Sequence, residues 1–282
     1  MAAMKSAGSR RERMAAPFLI WAFVFIIVPI ILIVYYSLTV ESGGVTAFSW
    51  ANYTRAFEPT YLMVMWRSIL LALISTAVCV LAGYPIAYIM ASKEYTAKGF
   101  LLFLFLVPMW MNFLLRTYAW IAILENNGII NTALKALGLP AFKLLYMDQA
   151  VVLGMVYNFL PFMILPIYTV LKKLDQNLIE AAQDLGADNR KVFLRLVLPL
   201  SMPGVISGVT MVFMPAVTTF IISSLLGGGQ YMLIGNLIEQ QFLRVGDWSF
   251  GSAISVILMV IILITMAVFS RVDTGDEGGT LF

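Results

Sequence analysis

The sequence predicts an all-α integral membrane protein that crosses the bilayer six times. Of its 282 residues, 61% are hydrophobic and 12% are charged, whereas soluble globular domains carry about 25% charged residues. A helix needs about 20 apolar residues to cross a bilayer. Six runs are long enough, and they lie at 15–38, 67–92, 100–124, 149–171, 201–225 and 249–270. We expect residues 15–270 to form one membrane domain between two tails, 1–14 and 271–282.

The distribution of basic residues predicts the orientation of the chain. With a cytoplasmic amino terminus, twelve of the eighteen Lys and Arg residues fall in cytoplasmic segments, five fall outside and Arg116 lies within a span. Enrichment of Lys and Arg on the cytoplasmic side is typical of membrane proteins. The basic residues before Ala15 have the layout of a secretory signal, but the following apolar run is too long for one and lacks a clear cleavage site. We therefore interpret it as a retained first helix, with both termini cytoplasmic.

Residue types that are scarce or absent exclude several kinds of site. The chain has no His and one Cys, Cys79, so we expect no disulfide, no metal site of imidazole or thiolate ligands and no His-dependent catalytic residue. It has no GxxxxGK[ST] sequence for binding nucleotide phosphates. All fifteen Asp and Glu residues lie outside the six predicted spans, whereas proton-coupled carriers keep carboxylates or His inside the membrane. We expect no bound cofactor and no nucleic-acid partner, and an energy source outside this chain.

One long interior segment, residues 172–204, is charged and does not read as a membrane span. Asn177 and Glu180 have capping-box spacing, which predicts that Asn177 caps a short helix. Gly186 lies where a left-handed residue would end that helix. The apolar face of the helix is predicted to contain Leu178, Ala181, Ala182 and Leu185.

A second helix is predicted to begin at Asp188 in the same segment. Pro199 and Pro203 separate it from the next apolar run. Its outward-facing residues would be Arg190, Lys191 and Arg195, and its inward-facing residues Phe193, Leu196 and Val197. The pattern therefore predicts a helix–turn–helix loop between the fourth and fifth spans.

The same loop resembles a known family. Glu180-Ala181-Ala182, three residues, Gly186, nine residues and then Leu196-Val197-Leu198-Pro199 resemble the EAA loop of bacterial ABC-importer permeases, with Leu196 in place of the usual Ile. The resemblance implies a type I ABC-importer permease fold in the bacterial inner membrane, with 172–200 as the cytoplasmic coupling loop. It also implies two copies of a cytoplasmic ATPase, which would bind ATP and Mg²⁺. The residues that we expect to contact the ATPase are Glu180, Ala181, Ala182, Asp184, Gly186, Arg190 and Pro199.

Three further stretches narrow this resemblance. The sequences at 107–120, 180–187 and 233–251 resemble the B-type permease subunit of spermidine/putrescine importers. That resemblance implies a second, C-type permease and a periplasmic polyamine-binding protein. Related permeases carry other amines, amino-acid derivatives or phosphonates, so the cargo stays open at this point, as does the choice between a homodimer and a heterodimer. An ion-coupled carrier and an ATP-independent channel or scaffold are the alternatives, and both leave the loop unexplained.

Polar and aromatic residues in the spans are the candidates for the translocation pathway. Arg116 lies about two-thirds along the third span, where a charge normally faces protein or water. If Arg116 faces protein or water, it would bind backbone carbonyls, anchor the second permease or repel cations. The alternative is an arginine that reaches the outer interface beside Tyr118 and Trp120. The candidates are Trp110, Asn112, Arg116, Tyr118, Tyr157, Asn158, Thr218 and Thr219. Their aromatic rings offer cation–π contacts, but we favour selection of the cargo by the binding protein.

Smaller patterns predict local features. Gly204 and Gly208 have the spacing that lets two membrane helices approach closely. Asn158 is either a pathway residue or an interhelical hydrogen-bonding residue. Short helices are expected at 129–137 and 230–243, and residues 39–66 are expected to lie on the outer membrane surface.

Overall fold

The computed structural model describes residues 17–42, 45–92, 98–229 and 232–273. The predicted all-α class is confirmed for these residues, apart from one short hairpin. The helices are α1 (Pro17–Ser37), α2 (Ala51–Ala56), α3 (Pro59–Ala91), α4 (Lys98–Trp110), α5 (Phe113–Leu124), α6 (Ile129–Ala136), α7 (Asp148–Lys173), α8 (Gln176–Asp184), α9 (Asn189–Thr218), α10 (Ile221–Leu226), α11 (Ile234–Gln240) and α12 (Trp248–Asp273). The predicted tail 1–14 and residues 274–282 of the predicted tail 271–282 lie outside the described residues, whereas 271–273 extend α12.

Five helices, α1, α3, α7, α9 and α12, are long and apolar enough to cross a membrane. The third predicted span is different, because it is a pair of helices bent by 101° between Leu102–Trp110 and Phe113–Ala136. Asn112 leaves the helical conformation there, with φ −56° and ψ 128°, and its side chain accepts hydrogen bonds from the backbone N–H groups of Leu114 and Leu115. Asn112 is therefore the N-cap of α5 and not a residue within one continuous third span.

The fifth span also differs from its prediction. The predicted loop helix and the predicted fifth span are one 30-residue helix, α9, although Pro199 and Pro203 lie within it. A π-helical turn at Phe193–Val197 ends two residues before Pro199, the first of these prolines. Because π turns rearrange the backbone hydrogen bonds locally, the helix continues past a residue that lacks an N–H. At its far end the helix stops at Thr218, seven residues before the predicted limit of 225, and a separate helix, α10, follows.

The described residues divide into two compact units, of which the first contains 17–62 and 238–261. This unit holds an antiparallel hairpin of β1 (Thr39–Ser42) and β2 (Val45–Phe48), with Thr39 opposite Phe48. The hairpin was not predicted, because its strands are only four residues long. Buried Asn52 donates hydrogen bonds to the carbonyls of Ser37 and Thr39, which fixes α2 against the start of the hairpin.

An ion pair joins distant parts of the sequence within this first unit. Arg55 lies 2.8 Å from Asp247, and its guanidinium stacks 3.9 Å from the centre of the Phe250 ring. Asp247 also caps α12 by accepting the N–H of Phe250. Burial, the largest influence, lowers the pKa of Arg55, but the hydrogen bonds and charges of Tyr61 and Asp247 raise it more, so the net shift is upward. Arg55 therefore remains positively charged throughout the physiological pH range.

The second unit contains residues 63–237 and 262–273, and its core is the contact between α7 and α9. A Cβ atom on Gly204 would lie 3.0 Å from the carbonyl oxygen of Pro166. One on Gly208 would lie 2.7 Å from the sulfur of Met163, which is fully buried. The predicted close approach of helices at these two glycines is confirmed. The predicted short helix at 129–137 is confirmed as α6.

Candidate functional site

Helix α8 begins with a side-chain cap. Asp175 has an extended backbone, and its carboxylate accepts the N–H of Asn177 at 2.9 Å. The prediction that Asn177 itself caps the helix is wrong by two residues. Both residue types are good caps. Helix α7 ends at Lys173, and Leu174 is its C-cap residue. The next residue, Asp175, is therefore the first that can serve as the N-cap of α8.

The end of α8 follows the prediction. Gly186 has a left-handed conformation with φ +83°. Its N–H donates to the carbonyl of Gln183 at 2.8 Å, and the N–H of Ala187 donates to the carbonyl of Ala182 at 3.0 Å. This pair of bonds is the Schellman motif, which satisfies the last carbonyls of the helix. Gly186 therefore ends α8 for the reason that the sequence suggested.

The turn between α8 and α9 is held by short-range polar contacts. Asp188 caps α9 by accepting the N–H of Lys191 at 3.0 Å, which confirms the predicted start of the second helix. The Gln183 amide donates to the Asn189 side chain at 3.2 Å and joins the two helices. The angle of the turn is therefore set by residues of the turn itself.

Most of α8 is exposed, and none of its residues is buried. Leu178 is 49% exposed and Leu185 is 90% exposed, so the predicted apolar face points away from the other helices. We call this the α8 surface, and its residues are Leu178, Glu180, Ala181, Asp184 and Leu185. Of the other residues expected to contact an ATPase, Gly186, Arg190 and Pro199 are also exposed, and Ala182 is half-buried. An uncovered face of leucine, alanine and carboxylate side chains is suited to binding another protein.

A cavity of about 570 Å³ lies behind α8. Its wall contains Ile179, Glu180 and Gln183 of α8, together with Tyr88 of α3 and Leu171 of α7. Because α8 is attached through its two ends and faces a cavity between them, it can move with few packing contacts to break.

The π turn at the start of α9 contacts α3 through aromatic rings. Phe193 makes edge-to-face contacts with Tyr84 and Tyr88, at centroid distances of 5.9 Å and 5.3 Å. Tyr84 also shares a hydrogen bond of 2.8 Å with Ser201, about one turn beyond the π segment. A displacement of the loop therefore reaches α3 directly through Phe193.

Arg116 faces protein and not the surface. It is 8% exposed, and its Nε and Nη1 atoms have no hydrogen-bond partner among the described residues. Its guanidinium carbon lies 5.8 Å from the centre of the Phe113 ring. The alternative of an arginine that reaches the membrane surface does not fit this burial.

The other pathway candidates occupy different environments. Trp110 is 78% exposed, Tyr118 is exposed, and Tyr157 stacks edge-to-face on Trp120 at 5.4 Å. Buried Asn158 donates to the carbonyl of Gly154 in its own helix, so this bond is not interhelical, and its Oδ1 has no partner in the described chain. Thr218 ends α9, and Thr219 is the non-helical residue after it. The structure thus places Asn112 and Thr219 at two breaks in the membrane helices. It packs α5 and α10, the helices that follow these breaks, against each other.

Sequence reasoning missed a polar network beyond the second break. Buried Asn236 donates to Ser224 at 2.6 Å and to the carbonyl of Phe220 at 2.8 Å, and it accepts a hydrogen bond from Ser223. Gly235 approaches so closely that a Cβ there would lie 2.5 Å from the carbonyl oxygen of Thr218. The serine and glycine content of 223–236 was the signal available, but it reads equally well as a flexible turn. We call residues 111–116, 218–224 and 233–236 the break region.

Among the described residues, no cluster of three or more His, Cys, Asp or Glu side chains is placed to hold a metal ion. What these residues offer is an exposed helix face at one loop and two interrupted spans with buried polar side chains. Interrupted helices at membrane depth are tolerated where they are buried in protein or line a water-filled cavity. The arrangement is suited to moving a solute.

Comparison with known proteins gives a consistent result. Residues 83–275 match the model of the family described as binding-protein-dependent transport system inner membrane component. The chain is 40% identical over 258 residues to the spermidine/putrescine transport system permease protein PotB of Haemophilus influenzae, covering 90% of each chain. It is 39% identical over 256 residues to PotB of Escherichia coli K12, covering 89% of this chain and 93% of that protein.

A solved structure gives the same fold. A chain of a bacterial alginate ABC transporter, solved in complex with an alginate-bound periplasmic protein, superposes with a TM-score of 0.80 at 15% identity. The match covers 95% of this chain and 96% of that chain. The predicted ABC-importer permease fold is therefore confirmed, and the described chain is a multi-pass inner-membrane protein of the transport-subunit type. On the length of the family match and the identity to its curated relatives, the chain belongs to the family of binding-protein-dependent transport system inner membrane components.

Proposed function

We propose that this chain is a permease subunit of an ATP-driven importer of polyamines, spermidine and putrescine, that receives its cargo from a periplasmic binding protein. The observation that carries the proposal is 40% identity to a spermidine/putrescine permease over 90% of both chains. That match includes the two breaks and the polar network, which are the parts of the fold most suited to a solute pathway.

The energy for transport comes from a partner. The described membrane helices carry acidic residues only at their ends, Asp148 at the start of α7 and Asp273 at the end of α12. A proton-driven cycle requires titratable groups inside the membrane. In the proposal, two copies of a cytoplasmic ATPase bind ATP and Mg²⁺ and dock on the α8 surface, while this chain holds no cofactor.

The proposed motion starts at α8. When the ATPase subunits close around ATP, they displace α8, which faces a cavity and has few packing contacts to lose. The displacement moves the start of α9, and Phe193 transmits it to α3 through Tyr84 and Tyr88. ATP drives the change because the ATPase binds it more tightly in the closed state, which supplies the difference in free energy between the two states.

The proposed orientation places both termini and the α8–α9 loop in the cytoplasm. The positive-inside distribution supports this orientation, since twelve of the eighteen basic residues then lie on the cytoplasmic side. The assembly contains a second homologous permease in the same bilayer, and the breaks of the two subunits together form the pathway. Trp110, Asn112, Arg116, Tyr118, Tyr157, Asn158, Thr218 and Thr219 remain the proposed pathway residues.

The test is uptake by the reconstituted assembly. The chain is purified with its ATPase and second permease and placed in liposomes, the binding protein is added outside, and ATP-dependent uptake of labelled spermidine is measured. Glu180→Lys reverses a charge on the α8 surface, so we expect it to lower uptake by roughly tenfold or more. Glu125→Lys makes the same chemical change at an exposed site on the segment between α5 and α6, and it should leave uptake within about twofold of wild type.

Two results would contradict the proposal. If the Glu180→Lys assembly takes up spermidine at the wild-type rate, the α8 surface does not couple ATP hydrolysis to transport. The second result concerns the cargo. If the wild-type assembly hydrolyses ATP but takes up neither spermidine nor putrescine, and instead takes up another solute from a panel of amines, amino acids and phosphonates, then polyamines are not its cargo.

A further inference from the structure

Within the described chain, Arg116 is a buried cation with unpaired hydrogen-bond donors. Its Nε and Nη1 donors have no acceptor among the described residues, and the residue is 8% exposed. Burying a charged donor without a hydrogen-bond acceptor is destabilising. Packing alone does not require the charge, because an apolar side chain of similar length would fill the same volume without that cost.

In the part of the chain that the structure describes, no carboxylate forms an ion pair with Arg116. Within the described membrane helices, acidic residues occur only at the ends of α7 and α12. The first of them, Asp148, already lies 2.6 Å from Arg67. The positive charge of Arg116 is therefore uncompensated inside the span.

The position of Arg116 in its helix adds to this positive potential. It is the fourth residue of α5, which begins at Phe113 after the break at Asn112. The amino-terminal end of a helix carries a partial positive charge. The guanidinium group and the amino terminus of α5 therefore both contribute positive electrostatic potential at the same place.

The location connects this potential with solute movement. Helix α5 packs on α10, which follows the second break at Thr219. Backbone interruptions at membrane depth occur where they are buried in protein or line a water-filled cavity. Rings and single residues of positive charge are known to exclude cations from such cavities.

We propose that Arg116 is an electrostatic barrier that prevents small inorganic cations from leaking through the permease between transport cycles. The inference rests on the proposed function, because it places Arg116 beside the solute pathway. It also has a consequence for a cationic cargo, which passes only when the ATP-driven change moves α5 and carries the guanidinium aside. The barrier thereby makes passage of cations conditional on nucleotide.

The experiment measures leak without ATP. The complete assembly is reconstituted in liposomes, and passive fluxes of ²²Na⁺ and of chloride are recorded for wild type, Arg116→Gln, Arg116→Met and Arg116→Lys. Arg116→Gln and Arg116→Met both remove the charge, and we expect each to raise sodium flux by roughly tenfold. Arg116→Lys keeps the charge and should stay within about twofold of wild type. Chloride flux should not rise in any variant.

Three outcomes would overturn the inference. Sodium flux at the wild-type level in both charge-free variants would show that Arg116 is not a barrier. Equal leak in Arg116→Lys and Arg116→Gln would indicate a packing role, and so would a parallel rise in chloride flux. ATP-driven spermidine uptake is measured in the same liposomes, so that a failure of the wild type to transport spermidine counts against the proposed function and is distinguished from a failure of the barrier.

Discussion

The α8–α9 loop and the break region satisfy most of their polar groups in different ways. In the loop, each helix end is closed by a neighbour in sequence, with Asp175 and Asp188 at the starts and Gly186 at the end of α8. In the break region, Asn236 bonds to Ser223 and Ser224 more than ten residues away, and the Nε and Nη1 atoms of Arg116 have no acceptor among the described residues. A surface that binds partners needs its shape fixed locally, whereas a pathway needs groups that the rest of the fold holds in place.

The largest effect that would test this contrast is expected at Gly235. Gly235→Ala places a Cβ about 2.5 Å from the carbonyl oxygen of Thr218, a backbone atom that cannot rotate away. We expect the assembly to lose about 3 kcal/mol of stability, measured as a lower midpoint of thermal unfolding in detergent.

Gly186→Ala is the matched control for that change. A Cβ there meets nothing within 4 Å, and only the left-handed backbone opposes it, so the expected cost is about 1 kcal/mol. Equal shifts for the two variants would show that the break region tolerates change as well as the loop does.

Phe193 tests whether the two regions communicate. Phe193→Ala removes the ring contacts to Tyr84 and Tyr88, so movement of the loop should no longer reach α3. We expect ATP hydrolysis to continue while spermidine uptake falls by roughly fivefold. Leu194→Ala, at an exposed position in the same π turn, is the control and should preserve both activities. If hydrolysis and uptake fall together in Phe193→Ala, the ring does not act as the link.

The smallest effect concerns the start of α8. Asp175→Ala removes the side chain that accepts the N–H of Asn177, and it should destabilise α8 by about 1 kcal/mol. Asn177→Ala should cost less than about 0.5 kcal/mol, because its side chain caps nothing. Hydrogen exchange of the α8 amides would measure both variants. If Asn177→Ala destabilises α8 more than Asp175→Ala does, Asn177 is the cap residue, as the sequence predicted.

The same contrast explains what the sequence could predict. Gly186, Asp188 and the Gly204–Gly208 pair were identified correctly, because caps and small-residue spacings act within one or two turns. Hydropathy located the spans, but it averages over many residues and gives no signal where a single residue such as Asn112 leaves the helix. The burial of Arg116 and the bonds of Asn236 depend on residues brought together by the fold, and one sequence does not report such contacts.

The continuity of α9 has a mechanical consequence. Thirty residues in one helix form a rod about 45 Å long, running from the exposed loop to the residue before the second break. A tilt of about 10° at one end of such a rod moves the other end by about 8 Å, which exceeds the width of a hydrated ion. A lever of this length converts a modest push at its loop end into a displacement large enough to open or close a passage beside the second break.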